Sequence, residues 1–420
     1  MMRKQAMQQE LIAGITSFFA ISYIMVVNSL ILTEAGMPPL LSIFATIFAS
    51  MAGTFLVGIV ANTPIVITPG MGVNAFFTYT LVSSMGFTWQ QALAVSLVAG
   101  LLFVGITLTP LGKIINESVP ESLKHGITSG IGLLLVMIGM EKGHLLVAGE
   151  HSFLSIAPLN QIDTLLTLLG FLFVVILVMK KVRGGMFIAL LVITIVGNLL
   201  GIQAEGLAGA SLSHLGDYGQ LLFAMDFQFV GTGQFWLAVF SLLMILMFES
   251  LGLLNGLLSF LPKEEVEKAY RLTGVSVVIS SLLGTSPTIP AAESAAGIEN
   301  GGRTRVTSTV VFVLFGLSLF LLPFLSYIPD QAIAPLIMMT GFLMLQDLRL
   351  LNFADFYEWF PALFLCLMIP LSGSIGDGLA YGFIAYTLLQ LVGGRARQTK
   401  PALLVIAALF LVNLIVTNFM

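Results

Sequence analysis

Charge is what this 420-residue chain has least of: Lys, Arg, Asp and Glu together make 9% of it, against about 25% in an ordinary soluble domain. So little charge cannot coat a water-facing surface, which excludes a soluble globular protein. Cysteine is nearly absent, and the single Cys366 excludes an intramolecular disulfide and any Cys-rich metal or redox motif. His125, His144, His151 and His214 fall in or near predicted loops without H-E-x-x-H spacing, so neither a metal site nor a cofactor is expected. A net charge of −4 with no long basic tract leaves nothing to neutralise a phosphate backbone, and nucleic acid is not an expected partner. What is plentiful is apolar length. Hydrophobic residues make 57% of the chain, with 32 Phe and 20 Met, and the mean hydropathy is +1.02. These figures describe an all-α polytopic membrane protein surrounded by lipid.

A spanning helix takes about 20 residues, and the apolar runs recur often enough for about fourteen spans. They are expected over 11–33, 39–61, 63–84, 89–110, 124–140, 162–179, 185–202, 234–258, 270–284, 287–299, 306–326, 331–346, 357–371 and 376–392. The run from Leu11 to Leu32 exceeds a signal-peptide core and has no A-x-A site close behind, so it reads as the first span. With the N-terminus in the cytoplasm, the inside loops collect Arg3 and Lys4, Lys113 and Lys124, Lys180 to Arg183, Lys263 to Arg271, Arg303 and Arg305, Arg349, and Arg395 to Lys400, as positive-inside topology requires. Of the 17 basic residues only Lys142 lies outside this pattern. The segment from Gln203 to Gly233 holds Glu205, Asp217 and Asp226 but no Lys or Arg, which suits an outer loop. Ala402 to Phe419 either spans, placing the C-terminus outside, or lies in the interface, leaving it inside.

Seven spans precede Gln203 and seven follow Gly233. An odd number per half forces opposite orientations, the inverted-repeat plan of many secondary transporters. The third span of each half carries the same irregularity: Thr63-Pro64-Ile65-Val66-Ile67-Thr68-Pro69-Gly70-Met71-Gly72-Val73-Asn74 in the first, and Gly284-Thr285-Ser286-Pro287-Thr288-Ile289-Pro290-Ala291-Ala292-Glu293 in the second. Two prolines bracket a short β-prone stretch and small residues follow, which predicts an extended segment leading into a half-helix; the alternative is a pair of ordinary proline kinks. Irregular backbone at membrane depth is tolerated only inside protein or along a wet cavity, so two such segments point to a central site.

Two carboxylates sit where a bilayer penalises them. Glu293 stands at the restart of the second half-helix and Glu249 lies deep in the eighth span, neither with a basic residue close in sequence. Each is a candidate ligand for a substrate. Each is also a candidate proton-coupling group, since a carboxyl withdrawn from water can exchange a proton near neutral pH; the alternative is a permanently protonated Glu in an interhelical hydrogen bond. Asn74, on the first half-helix, offers an amide that both donates and accepts, or a local cap. Phe76 and Phe77 beside it offer rings for stacking. Asp377 is expected to cap the last span, and the pairs Gly126/Gly130, Gly197/Gly201 and Gly252/Gly256 to allow close helix packing.

These strings resemble a known family. NTPIVITPGMGVNAFFTYT from Asn62, ELIAGITSFFAISYIMVVN from Glu10, LLGTSPTIPAAESAAGIENGGRTRVT from Leu282 and DFYEWFPALFLCLMIPLSGSIGDGLAYG from Asp355 are similar to the AzgA-like purine permeases of the nucleobase–cation symporter-2, or xanthine/uracil permease, superfamily. The resemblance implies fourteen spans in 7+7 inverted repeats. It implies a core domain (1–110 and 211–327) and a gate domain (111–210 and 328–420, with the extra C-terminal segment). It also implies proton-linked uptake of hypoxanthine, guanine or adenine across a plasma (inner) membrane, with no cofactor and a possible homodimer through the gate. Carried over by position, Asn74, Glu249 and Glu293 match the family's substrate-site residues. The chain departs from the family's pattern at Glu249, usually Asp, at Ser250 and Leu253, both usually Thr, and at Pro287 and Pro290. A purine edge presents N–H donors beside acceptors, which a carboxylate and half-helix N–H groups can pair. An anion transporter of the same fold is the competing reading, but two acidic side chains at the site would repel an anion. No nucleophile–base or metal constellation of an enzyme is visible.

Overall fold

The computed structural model describes residues 2–109, 118–148, 154–182, 184–202, 211–325, 327–395 and 400–419; Lys113, Arg183, Arg397, Glu205 and His151 lie outside them. In the first half the helices are α1 (Met2–Ile21), α2 (Ile24–Glu34), α3 (Pro39–Gly53), α4 (Met71–Ala75), α5 (Trp89–Thr107), α6 (Glu121–Lys142), α7 (Ile162–Met179) and α8 (Gly185–Leu199). In the second they are α9 (Gly233–Leu257), α10 (Lys263–Leu282), α11 (Ser294–Glu299), α12 (Arg305–Ser318), α13 (Asp330–Met344), α14 (Phe356–Ser372), α15 (Ile375–Val392) and α16 (Pro401–Phe419). Four three-residue strands interrupt them: β1 (Ile67–Pro69), β2 (Leu146–Ala148), β3 (Leu154–Ile156) and β4 (Thr288–Pro290). Among the described residues nine helices are long and apolar enough to cross a membrane. The chain is a multi-pass membrane protein.

Local chemistry explains the boundaries. Thr88 opens α5 with a capping box to Gln91, and Thr232 caps α9 by accepting from Phe235 N. The ninth span, expected from residue 270, starts earlier: α10 runs from Lys263 because Pro262 precedes it and Glu264 and Glu265 favour the positive end of its dipole. The first span is longer than expected and broken, with a turn at Ser22–Tyr23 between α1 and α2. At the last expected span Ser374, not Asp377, is the cap: the Ser374 hydroxyl accepts from Asp377 N at 3.2 Å. Asp377 sits in the first turn instead, where a carboxylate meets the same dipole.

Two sets of helices pack mainly among themselves. α1, α2, α3, α5, α9, α10, α11 and α12 surround the two strands β1 and β4, while α6 packs against α13 and α14, α14 against α15, and α7 against α13 and α8. Small residues permit the close approaches in the second set: a Cβ at Gly126 would press on the Ala362 backbone, and one at Gly130 on Cys366. Gly252 and Gly256 behave differently. A Cβ at either meets nothing within 4 Å, so this pair does not serve helix packing, and Gly252 lines a cavity.

Candidate functional site

The site is built on a pairing between the halves of the chain. β1 and β4 form an antiparallel two-stranded sheet in register Ile67↔Pro290, Thr68↔Ile289 and Pro69↔Thr288. Proline cannot donate to a ladder and lipid offers no partner, so the remaining backbone groups need side chains from neighbouring helices. They find them. Ile67 N donates to Thr54 Oγ1 at 3.1 Å, Thr288 N to Ser280 Oγ at 3.3 Å, and the Ser308 hydroxyl donates to Thr63 O at 2.7 Å and Ile65 O at 3.0 Å. Across the pair, Ala291 N donates to Val66 O at 2.9 Å and Val66 N to Ser294 Oγ at 3.0 Å. The expected extended segments are present, and α4 and α11 start directly behind them.

A cavity of about 610 Å³ lies between this sheet and the second set of helices, a volume within the range of small-molecule sites. Its lining includes Pro69 to Gly72 and Pro290 to Glu293 from the two helix starts, Phe248, Glu249 and Gly252 from α9, and Thr340 from α13. One face of α6 completes it with Glu121, Lys124, His125, Thr128 and Ile131, at the spacing that stacks side chains along a helix. The Glu121 side chain, 75% exposed, marks the mouth.

Glu293 stands at the start of α11, and Tyr23 from the α1–α2 turn donates its phenolic proton to Glu293 Oε1 at 2.6 Å. The same phenolic oxygen lies 3.5 Å from Thr340 Oγ1. Glu249 projects from α9 on another wall, and its Oε2 is buried with no protein partner among the described residues. Gly72 brings the α4 backbone up to it: a Cβ there would lie 3.4 Å from Glu249 Oε2 and 3.0 Å from Ile131 Cγ2. The structure thus brings Glu249 and Glu293 to one cavity. It places Asn74, Phe76 and Phe77 elsewhere. All three are fully buried and outside the lining: Asn74 lies on α4, which packs against α2 and α6, and Phe76 and Phe77 lie on the π-helical stretch Phe76–Ser84 that continues it and packs against α2, α5 and α15. Neither polar atom of the Asn74 amide has a hydrogen-bond partner among the described residues. Phe248 lines the cavity, with Lys124 Nζ 5.6 Å from its ring centroid.

Sequence reasoning missed Tyr23, whose helix break carries no Pro or Gly to announce it, and Thr340. It also put His125 near a loop, whereas Pro120 starts α6 early enough to bring His125 inside, with Nδ1 3.4 Å from Asp347 Oδ2. Lys142, the exception among the basic residues, pairs with Glu34, and the Tyr79 hydroxyl donates to Glu34 Oε2 at 2.7 Å. These three residues join the end of α2, the helix after α4 and the end of α6 away from the mouth.

Comparison with known proteins gives a consistent result. Residues 8–376 match the family Xan_ur_permease, described as a permease family. The nucleobase transporter PlAzg2 of Paenibacillus larvae is 39% identical over 383 residues, 91% of this chain and 77% of its own length. The guanine/hypoxanthine permease PbuO of Bacillus subtilis is 34% identical over 99% of this chain and 98% of its own, and the adenine permease AdeP of Escherichia coli 33% over 97% and 92%. In fold, the transmembrane domain of a cyanobacterial bicarbonate transporter, BicA, superposes with a TM-score of 0.67 at 17% identity, covering 89% of this chain and 97% of that one. The anion transporter SLC26A9 does so with 0.62 at 14%, covering 92% and 66%.

Proposed function

The chain belongs to the Xan_ur_permease permease family, and from that membership we propose a secondary active transporter that takes up purine nucleobases, hypoxanthine, guanine or adenine, together with protons by alternating access. The observation that carries the reading is one cavity in which the carboxylates of Glu293 and Glu249 stand beside two helix starts. A purine edge carries N–H donors next to carbonyl or ring-nitrogen acceptors. Glu293 and Glu249 accept from the donors; the first N–H groups of α4, which have no partner within their own helix, serve the acceptors. Phe248 supplies the stacking surface assigned by sequence to Phe76 or Phe77, and Asn74 backs the wall behind Gly72. Both carboxylates are the candidates for the coupling proton.

The two broken segments and the shorter helices complete fourteen spans in a 7+7 inverted repeat. The first set of helices (1–110 and 211–327) is the core domain that carries the site, and the second (111–210 and 328–420) is the gate. The homodimer implied for the family would form through that gate. The N-terminus is cytoplasmic in a plasma (inner) membrane, so the cavity mouth beside Lys124 opens inward, while Glu34, Tyr79 and Lys142 close the outer side. Alternating access then requires the Glu34–Lys142 pair to part when the core moves past the gate.

The test is uptake of radiolabelled hypoxanthine, guanine, adenine, xanthine and uracil in permease-deficient cells, with and without a protonophore. Purine accumulation that the protonophore abolishes is the expected result. Accumulation of bicarbonate or sulfate with no nucleobase uptake would overturn it in favour of an anion carrier.

A further inference from the structure

Tyr23 is bonded to Glu293, which makes the direction of that bond a record of where the proton is. We propose that Tyr23 is a positioning residue that relays the protonation state of Glu293 to Thr340 on α13. The inference rests on the proton-coupled reading above and assigns the route by which the proton acts on the gate.

A phenol has one proton to donate and lone pairs to accept with, and an ionised carboxylate can only accept. With Glu293 ionised, the Tyr23 proton is therefore committed to Oε1, at 2.6 Å. The Thr340 hydroxyl proton is committed too, donated to Leu336 O at 2.9 Å within α13. No proton remains for the space between the two hydroxyl oxygens, and they stand 3.5 Å apart, well beyond the usual length of about 2.7–2.8 Å for such a bond. When a proton from the cavity settles on Glu293 Oε1, the carboxyl becomes the donor and the Tyr23 oxygen its acceptor. The Tyr23 proton stays on its own oxygen and turns to Thr340 Oγ1. One proton is gained by Glu293 and none is lost elsewhere; only the direction of the hydrogen bonds reverses. Protonation thereby creates a bond between the α1–α2 turn and α13, and deprotonation removes it.

The other titratable groups around the relay have their own positions. Glu249 on α9, Glu121, Lys124 and His125 on α6 and Asp347 beyond α13 line the same cavity. Glu10 on α1 is occupied with the backbone N–H of Arg303 at 3.1 Å and the hydroxyl of Thr307. Glu293 alone among these is bonded to Tyr23.

The experiment uses the full chain in proteoliposomes and compares hypoxanthine uptake driven by an outside-acid pH gradient with exchange at equal pH. In Thr340→Val the ratio of gradient-driven uptake to exchange falls by about three- to tenfold, the worth of one neutral hydrogen bond. Thr340→Ser, which keeps the hydroxyl and drops the methyl, restores it. Tyr23→Phe lowers the ratio at least as far, and adding Thr340→Val to it lowers it no further, because both cut one relay. An unchanged ratio in Thr340→Val, a Ser variant as impaired as Val, or additive losses in the double variant would overturn the relay. Wild-type protein that moves purine bases by a gradient while the variants behave like it defeats the relay alone; wild-type protein that moves none defeats the functional reading and the relay with it.

Discussion

Replacing Glu293 by Gln changes one atom and very little volume, which makes the result interpretable in energy. The amide oxygen can still accept from Tyr23, whose hydroxyl lies 2.6 Å from Oε1. The amide nitrogen then occupies the second position. There a carboxylate oxygen would accept from a purine N–H; an NH2 group instead points a donor at a donor. The loss is one hydrogen bond to a charged group, about 1.5–3 kcal/mol, or roughly 12- to 150-fold in affinity at 1.4 kcal/mol per decade. The assay is the Kd for hypoxanthine with the variant purified in detergent or nanodiscs, beside its KM for uptake. Gel-filtration elution and thermal stability matching the wild type show that the fold survives. A Kd within about threefold of wild type would refute the reasoning, because less than one neutral hydrogen bond would then separate the carboxylate from its amide.

Gly72→Ala puts a methyl against Ile131 Cγ2 at 3.0 Å and Glu249 Oε2 at 3.4 Å; overpacking of this kind costs about 1–3 kcal/mol, and a raised KM with a correctly inserted protein is the expected readout. Ser294→Ala removes the acceptor of the buried Val66 N–H, leaving a cost of about 1–3 kcal/mol that lowers Tm, while Ser294→Thr retains most of it. Lys142→Met breaks the contact with Glu34 that joins α2 to α6, and labelling of Thr33→Cys, beside an intact Glu34, by a membrane-impermeant maleimide in a Cys366→Ser background should rise relative to the same protein with Lys142 intact; no rise would show that the pair does not hold that side closed.

The interruptions of the helices were legible because proline speaks through covalent geometry. Pro64, Pro69, Pro287 and Pro290 exclude continuous helix wherever they stand, and the two carboxylates stand out because charge is scarce around them. Spatial neighbours were not legible. Nothing in local sequence says that Ile67 pairs with Pro290, that Tyr23 meets Glu293, or that Thr340 reaches Tyr23 across 317 residues. Phe76 and Phe77 show the limit from the other side. Adjacency to a polar residue in sequence does not place a ring in a cavity: Asn74, Phe76 and Phe77 are all fully buried outside its lining. Lys142 is the instructive exception, a violation of the positive-inside pattern that became explicable only when its partner on α2 was seen.

The β1–β4 pairing also sets a timetable. Val66 N finds its acceptor, Ser294 Oγ, 228 residues further along the chain, and at about 5–20 residues per second of synthesis that partner appears roughly 10–45 s later. During that interval the backbone around Ile67 has entered the membrane with groups that lipid cannot satisfy. The first half must therefore wait in a provisional state, with water, the insertion machinery or a non-native helix holding the place of β4. A ribosome that stalls between the two halves leaves a chain with its candidate site half made and the broken backbone of its first half unguarded. Such a chain is a substrate for membrane quality control.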